Sequence, residues 1–508
     1  MATSNYNQFS NARPLLSDLP AHVTGDDAER LGAYQLNEEI YWNVPDTFKL
    51  VQRGTEEDPI YIPSARMCVE ALNRFYAVGF DYTVAGGTSA DQESVGGVLR
   101  ALFRRERFFS KFNSFKRFGL VRGDALWHII ADDTKPAGRR ISLHELQPSQ
   151  YFPIYDVDDV DRVLGCHIVQ LVKDAKGDMV AKRQTYRRVL DSKGKPTGPI
   201  SSELAIYKAT AWDDRNIAQD PQPPKLELVQ QLVNPFELPP SITALPVYHV
   251  KNQWQSGDLF GSSEVRGFER VISGLNQGIS DQELALALEG LGVYWTTAKR
   301  PKGGWVMGPG TVVEGEEGED FSRVNGIGSV TPSIEHLNWM QNALKQSSGT
   351  PDIAIGNVDV SVAESGISLA LQMGPLLARG RERETELLAV HDNMLFDLTR
   401  MWLPAYEQIA NGLNVTIDLT VGDGMPTDRA AVLGEVLQLL TAQIISPEYA
   451  RFVVQEKLGY QFPDSMGEDI IANIEAVSSA TSLDPYAERI RKELLTDEAQ
   501  AALNGSGG

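Results

Sequence analysis

Residues 347–376, SSGTPDIAIGNVDVSVAESGISLALQMGPL, limit the possible folds more than any other stretch of this chain. A helical pattern stops at Ser348-Gly349, where glycine accepts the left-handed conformation that ends helices. A loop marked by Pro351 follows, and an apolar helix restarts at Glu364-Ser365-Gly366. That helix runs to about Ile409, with Leu388, Leu395 and Trp402 at heptad spacing and Leu398 between them. Its Gly374-Pro375 pair predicts a kink, because proline removes a backbone donor and crowds the preceding turn.

A second long helical pattern spans Gly261 to Gly290. Val265, Phe268, Ile272, Leu275, Ile279 and Leu286 recur at steps of three and four, with Gln282 in the one gap. Such a stripe fits helix against helix, and at ~1.5 Å per residue the pattern would span about 45 Å. Gly267, Gly274 and Gly278 lie inside it. Each costs on the order of 1 kcal/mol relative to alanine, so close neighbours must support the helix. Leu291 to Ile334 reads as a β-like, glycine-rich insert with a basic edge (Lys299, Arg300, Lys302) and an acidic run, Glu314 to Asp320, that includes Glu316 and Glu317. A shorter helix, Ser333 to Ser348, returns from it.

The first half reads as α+β. Residues 1–28 are expected to be a flexible arm. Short apolar runs alternate with turns from Tyr34 to Tyr82, and Asp91 to Gly119 reads as helix. Strands are expected at Ala125–Ile130, Arg140–Leu143, Val163–Val172, Arg183–Leu190, Leu204–Trp212, Leu226–Val233 and Pro246–Val250, with a hairpin turn at Ser192–Gly198. Toward the end, Val415–Thr420 is a strand. Three capped helices follow, starting at Thr427 or Asp428, at Ser446-Pro447 and at Ser465. The polar tail after about Ser478 is expected to fray.

The chemistry of catalysis is mostly missing. No Gly-Lys-Ser or Gly-Lys-Thr occurs, since Gly194-Lys195 is followed by Pro196, which argues against a P-loop motor. No GxSxG elbow, HExxH or CxxC occurs, and the seven histidines are scattered. Asp156, Asp158, Asp159 and Asp161 form the best metal-like cluster, read as a solvated turn with a metal hydrolase using Asp156 and Asp158 as the alternative. The run Phe103 to Phe118 interleaves cations with aromatics. It reads as an amphipathic helix, with nucleic-acid stacking or an acidic patch on a neighbouring copy as alternatives. The two cysteines, Cys68 and Cys166, read as buried free thiols suited to a reducing compartment. No signal-peptide pattern and no stretch of about 18 uncharged apolar residues occurs, so no membrane span is expected. The net charge is −21, from 47 basic and 68 acidic residues, whereas proteins that grip phosphate backbones by charge are basic.

The order of these parts resembles the portal proteins of tailed bacteriophages, of siphophage type. Phe118-Gly-Leu-Val-Arg-Gly-Asp-Ala125, Gln147-Pro-Ser-Gln-Tyr-Phe-Pro-Ile154 and Ser365-Gly-Ile-Ser-Leu-Ala370 carry the local likeness, over roughly residues 30 to 480. The second stem segment looks short against the first. The resemblance implies a wing at 29–258, a stem helix at 259–290, a β-rich clip at 291–334 and a second stem helix at 335–348. It further implies a tunnel loop at 349–364, a long kinked helix with the wing's return strand at 365–424, a helical crown at 425–480 and a tail at 481–508.

It also implies a ring, typically a dodecamer, at one capsid vertex of the virion, assembled in the host cytoplasm. Double-stranded DNA would pass through it during packaging and ejection. Its partners would be the terminase large subunit, a head–tail adaptor, the major capsid protein and a scaffolding protein. No enzyme activity and no cofactor are implied. Another ring-forming head–tail or tail component is the runner-up.

The candidate residues follow from this reading. Pro351, Asp352, Ile353, Asn357, Asp359 and Glu364 would form a mobile loop that narrows the tunnel. Asp281, Glu283 and Glu289 would line the stem, giving an acidic or neutral wall along which phosphates slide. Lys299, Arg300, Lys302, Glu316 and Glu317 would dock partners at the clip, and Gly374 and Pro375 would kink the long helix.

Overall fold

The computed structural model shows an α+β chain with antiparallel sheets and a buried aromatic stack. It describes residues 25–48, 50–51, 59–156, 158–159, 161–173, 177, 179–192, 196–210, 225–233, 238–291, 293–299, 317–324, 331–356, 366–422, 429–442 and 444–458. The chain divides into two units, Met1–Gly424 and Met425–Gly508.

The first unit opens with helices α1 (Gly25–Trp42) and α2 (Ser64–Phe75). Strand β1 (Asp81–Ala85) leads to helices α3 (Ser89–Glu106) and α4 (Phe108–Arg122). Strands β2 (Asp124–Ala131) and β3 (Ile141–Leu146) follow. Then β4 (Tyr151–Tyr155), β5 (Val163–Lys173), β6 (Met179–Leu190), β7 (Pro196–Thr210) and β8 (Lys225–Val233) make a five-stranded antiparallel sheet in chain order. Strand β9 (Val247–Lys251) returns beside β2, giving a second sheet in the order β3-β2-β9.

The second half is mainly helical. Helix α5 (Glu269–Leu291) leads into an antiparallel strand pair, β10 (Val293–Thr296) and β11 (Phe321–Val324), and helix α6 (Thr331–Ser347) comes back. A short 3-10 turn, Asp352–Ile355, precedes helix α7 (Gly366–Asp397). A π-helical turn at Leu398–Trp402 joins α7 to helix α8 (Leu403–Glu407), and strand β12 (Thr416–Thr420) closes the unit by pairing with β1, Asp81 against Thr420. In the second unit, α9 (Arg429–Thr441) packs on α10 (Pro447–Leu458), whose start is capped by the Ser446 hydroxyl accepting from the Tyr449 N–H at 3.2 Å.

Three expectations change. Helix α1 starts inside the segment read as an arm, because Arg30 ties Asp27 at 2.7 Å and also donates to the carbonyls of Pro148 and Tyr151; residues 1–24 lie outside the described residues. The helix read over Asp91 to Gly119 is two helices. It starts earlier, at a capping box between Thr88 and Asp91, and breaks at Arg107, which has φ 52°. The break lets Phe103 and Phe108 stack with centroids 4.4 Å apart, which side chains five positions along one helix do not do. The helix read from Gly261 begins only at Glu269. Gly267 has φ 88°, outside the helical region, and the Gly261 N–H is turned to the Asp124 carboxylate at 2.8 Å. The Ser465 helix and the polar tail lie outside the described residues.

The cation-and-aromatic run sorts itself by face. Phe108, Phe112 and Phe115 are buried, and Phe115 stacks on Trp127 of β2 at 4.8 Å. Lys111 instead donates to the Leu143 carbonyl at 2.7 Å. His391 of α7 sits fully buried in this stack, accepting from the Trp127 indole N–H at 3.0 Å and donating through Nδ1 to the Leu387 carbonyl at 2.7 Å. Burial pushes its pKa down to about 4, and that of His128 on β2 down to about 3.

Both histidines are neutral when folded, so the unfolded chain binds more protons below its ordinary imidazole pKa. Stability is therefore complete above pH ~6.5 and falls as the pH drops toward 4, by roughly 3 kcal/mol for His391 alone. Urea titrations from pH 7 to pH 4 measure this. His391→Gln, which keeps an acceptor for Trp127 and cannot be protonated, flattens the acid limb.

Candidate functional site

Helices α5 and α6 form an antiparallel hairpin with the β10–β11 pair at its tip. The stripe on α5 meets α6 through its glycines. A Cβ on Gly274 would lie 2.6 Å from Met340 Cε, and one on Gly278 would lie 2.7 Å from Leu337 Cδ2. The missing side chains leave room for the ends of Met340 and Leu337 against α5. A second row on α5 is polar and holds an extended segment. Asn276 Oδ1 accepts from the Ile62 N–H at 2.9 Å, Ser280 Oγ from the Ile60 N–H at 2.8 Å and Gln277 Oε1 from the Val51 N–H at 2.7 Å. These side chains give that segment backbone partners that no described strand supplies.

Helix α6 ends as its sequence indicates. Gly349 has φ 59°, and the Thr350 N–H reaches back to the Lys345 carbonyl at 2.9 Å. Ser348 and Thr350 are buried, and Ser348 Oγ donates to Thr350 Oγ1 at 2.9 Å. The following turn, Asp352–Ile355, packs on α2 and α7 with Ala354 buried. Of the segment read as a mobile tunnel loop, Gly349 to Glu364, the structure describes residues up to 356. Its first part is anchored, and Asp352 is paired with Lys345 at 2.5 Å, so its charge is already matched.

Beneath the turn lies a charged cluster that local patterns do not reveal. Glu264, on the segment entering α5, is almost fully buried. It pairs with Arg379 of α7, accepts from Arg383 Nε at 2.9 Å and accepts from Asn252 Nδ2, just past β9, at 3.1 Å. Arg379 also lies against Gly349, where a Cβ would come within 3.1 Å of its Cδ. One carboxylate thus joins the root of the hairpin, the start of the loop, the long helix and the central sheet.

The other expected residues are spread out. Asp281 is half-buried and accepts from Gln277 Nε2 at 2.8 Å, and Glu283 is exposed. Glu289 is in α5, but its side chain is not among those described. Lys299 and Glu317 are exposed beside the strand pair. Arg300, Lys302, Glu316, Asn357, Asp359 and Glu364 lie outside the described residues. Pro351 precedes the turn and Ile353 is within it. Gly374 and Pro375 lie inside α7, which is assigned as helix straight through them. The departure from α-helical bonding comes later, at Leu398–Trp402.

The aspartates of the possible metal cluster serve their own turn. Asp156 accepts from the Asp158 N–H at 3.1 Å and from Arg162 at 3.0 Å, and Asp159 accepts from the Asp161 N–H at 3.1 Å. Among the described residues no group of three metal-ligating side chains converges, and no helix is long and apolar enough to cross a membrane.

No protein-family profile matches this chain, and no curated protein does. Among solved structures, it is similar to a chain of the virion of the native gene transfer agent particle, with 13% identity, 85% of this chain and 94% of that one covered, and a TM-score of 0.39. A chain in the neck of the empty particle, computed with C6 symmetry, shares 13% identity over 83% of this chain and 93% of that one at a TM-score of 0.41. One in the neck of the native particle, computed with C12 symmetry, shares 12% identity over 77% and 89% at 0.39.

Two substitutions probe the site. Glu264→Ala leaves two arginines facing each other without their shared carboxylate, and costs about 3–5 kcal/mol of stability. Gly278→Leu forces the hairpin helices apart and costs ~1–3 kcal/mol. Equilibrium urea unfolding measures both.

Proposed function

We propose that this chain is one subunit of a ring-shaped portal. Identical copies surround a channel at one capsid vertex, through which double-stranded DNA is packaged and later ejected. The observation that carries this reading is the bare outer surface of the α5–α6 hairpin. Trp339 is 66% exposed, Leu286 45% and Ile334 42%, and Trp295 at the tip is 51% exposed. Aromatic and aliphatic side chains gathered on one projecting element call for a partner. An identical copy supplies one at equal stoichiometry, and a head-to-tail contact between copies closes into a ring when its rotation allows.

The charge supports the same reading. A chain of net charge −21, repeated around an axis, repels phosphate more than it holds it. In this reading DNA slides past Glu283, Asp359 and Glu364 without a deep electrostatic trap. The β10–β11 tip, with Lys299 and Glu317 exposed, is the surface for a terminase large subunit and then a head–tail adaptor. The outer sheets meet the major capsid protein and a scaffolding protein. The subunit makes and breaks no bonds, so no residue is assigned a catalytic role. A different ring-forming head–tail or tail component would use the same hairpin, and its position in the particle separates the two.

Native mass measurement tests the assembly. The wild-type chain is expected as a closed ring, and Trp339→Glu with Ile334→Glu as a folded monomer with an unchanged far-ultraviolet spectrum. A wild-type chain that stays monomeric at every concentration contradicts the reading. For the channel, replacing Asp352 and Asp359 together by Lys is expected to reduce packaged DNA per particle; unchanged packaging and ejection argue against a low-friction wall.

A further inference from the structure

We propose that the groove between strand β1 and helix α3 is a docking site for an extended acidic segment of another protein, which adds as a strand to the free edge of β1. The groove has a volume of about 690 Å³. β1 pairs with β12 on one side and with no other described strand, so its second edge offers unpaired backbone groups. This is the geometry of strand addition, in which main-chain hydrogen bonds give affinity and flanking pockets take alternate side chains.

The lining fits such a guest. Tyr82 and Phe103 meet edge-on at 5.2 Å, and Phe109, 43% exposed, extends the aromatic surface. The Tyr82 hydroxyl is shielded from solvent and has no hydrogen-bond partner, a state that a bound carboxylate or carbonyl would relieve. Arg100 and Arg104 line the wall and Arg107 lies just beyond; all three are exposed, and none has a carboxylate partner among the described residues. Arg100 uses its Nε on the Gly96 carbonyl of its own helix at 3.2 Å. In a chain of net charge −21, Arg100, Arg104 and Arg107 outnumber Asp81 and Glu93 at this aromatic groove, and a surplus of exposed guanidinium groups favours an anionic partner. Nucleic acid fits less well, because a free strand edge offers backbone N–H and C=O groups that an extended peptide pairs in register and a phosphate backbone does not. The inference does not depend on the ring.

The test uses the full chain and a short fluorescein-labelled peptide that alternates glutamate with valine and phenylalanine. Its lysine counterpart and a labelled DNA duplex serve as competitors. Anisotropy is expected to saturate with the acidic peptide alone. Arg100→Glu with Arg104→Glu weakens binding about tenfold or more, and Tyr82→Phe about threefold, the loss of one net hydrogen bond. Amide exchange at Asp81–Ala85 slows on binding, a readout that a variant's loss of folding does not imitate. No saturable binding up to about 1 mM peptide, binding unaffected by the double charge reversal, unprotected β1 amides, or tighter binding of the duplex through the same arginines each overturns the proposal.

Discussion

Glu264 is the constraint on which the rest of the first unit depends. A carboxylate taken out of water is costly unless charges and donors surround it, and here two arginines and an asparagine do so. Those partners come from the long helix and from the end of the central sheet, and Glu264 itself sits where the chain enters the hairpin. The arrangement fixes the hairpin's root to the same frame that carries the loop and helix α7. The hairpin can then project with its outer surface bare, while its base stays in register with the core.

A second buried carboxylate does similar work in the same unit. Asp124, at the start of β2, accepts from the Tyr34 hydroxyl at 2.5 Å, from His249 Nε2 at 2.7 Å and from the Gly261 N–H at 2.8 Å. It joins helix α1, strand β9 and the segment leading to the hairpin. The aromatic stack around His391 packs α4 and α7 against Trp127 of β2. Directional polar contacts set position there, and the stack supplies the driving force.

Local pattern was enough for the elements whose stability is local. Val163–Val172 was readable as a strand because β-branched residues crowd it, and the structure places β5 at Val163–Lys173. The stop at Ser348-Gly349 was readable because a left-handed glycine is a local requirement. The need of Gly274 and Gly278 for a close neighbour was also readable, but not that Met340 and Leu337 would be that neighbour. What escaped depends on residues far apart in the chain. Gly261 lies outside the helix, which begins only after Gly267 at φ 88°, and its N–H goes to the distant Asp124. β1 becomes a strand because β12 returns to it, with Tyr82 opposite Leu419. Asp352 read as a wall charge and is paired with Lys345, while Glu264 and Arg379 drew no reading and are paired with each other. Charge in a sequence says nothing of where its counter-charge stands.

The physical claim that unites these features is that a rigid frame holds out a hairpin whose bare surface is completed by a copy of itself. A density map of the purified assembly, viewed down its symmetry axis, tests it most directly. The account predicts a closed ring in which Trp339 and Ile334 of each subunit are covered by the next and the 349–364 segment points to the axis. A map showing single chains with that surface in solvent, or a ring joined elsewhere with the segment on its outer rim, would contradict it.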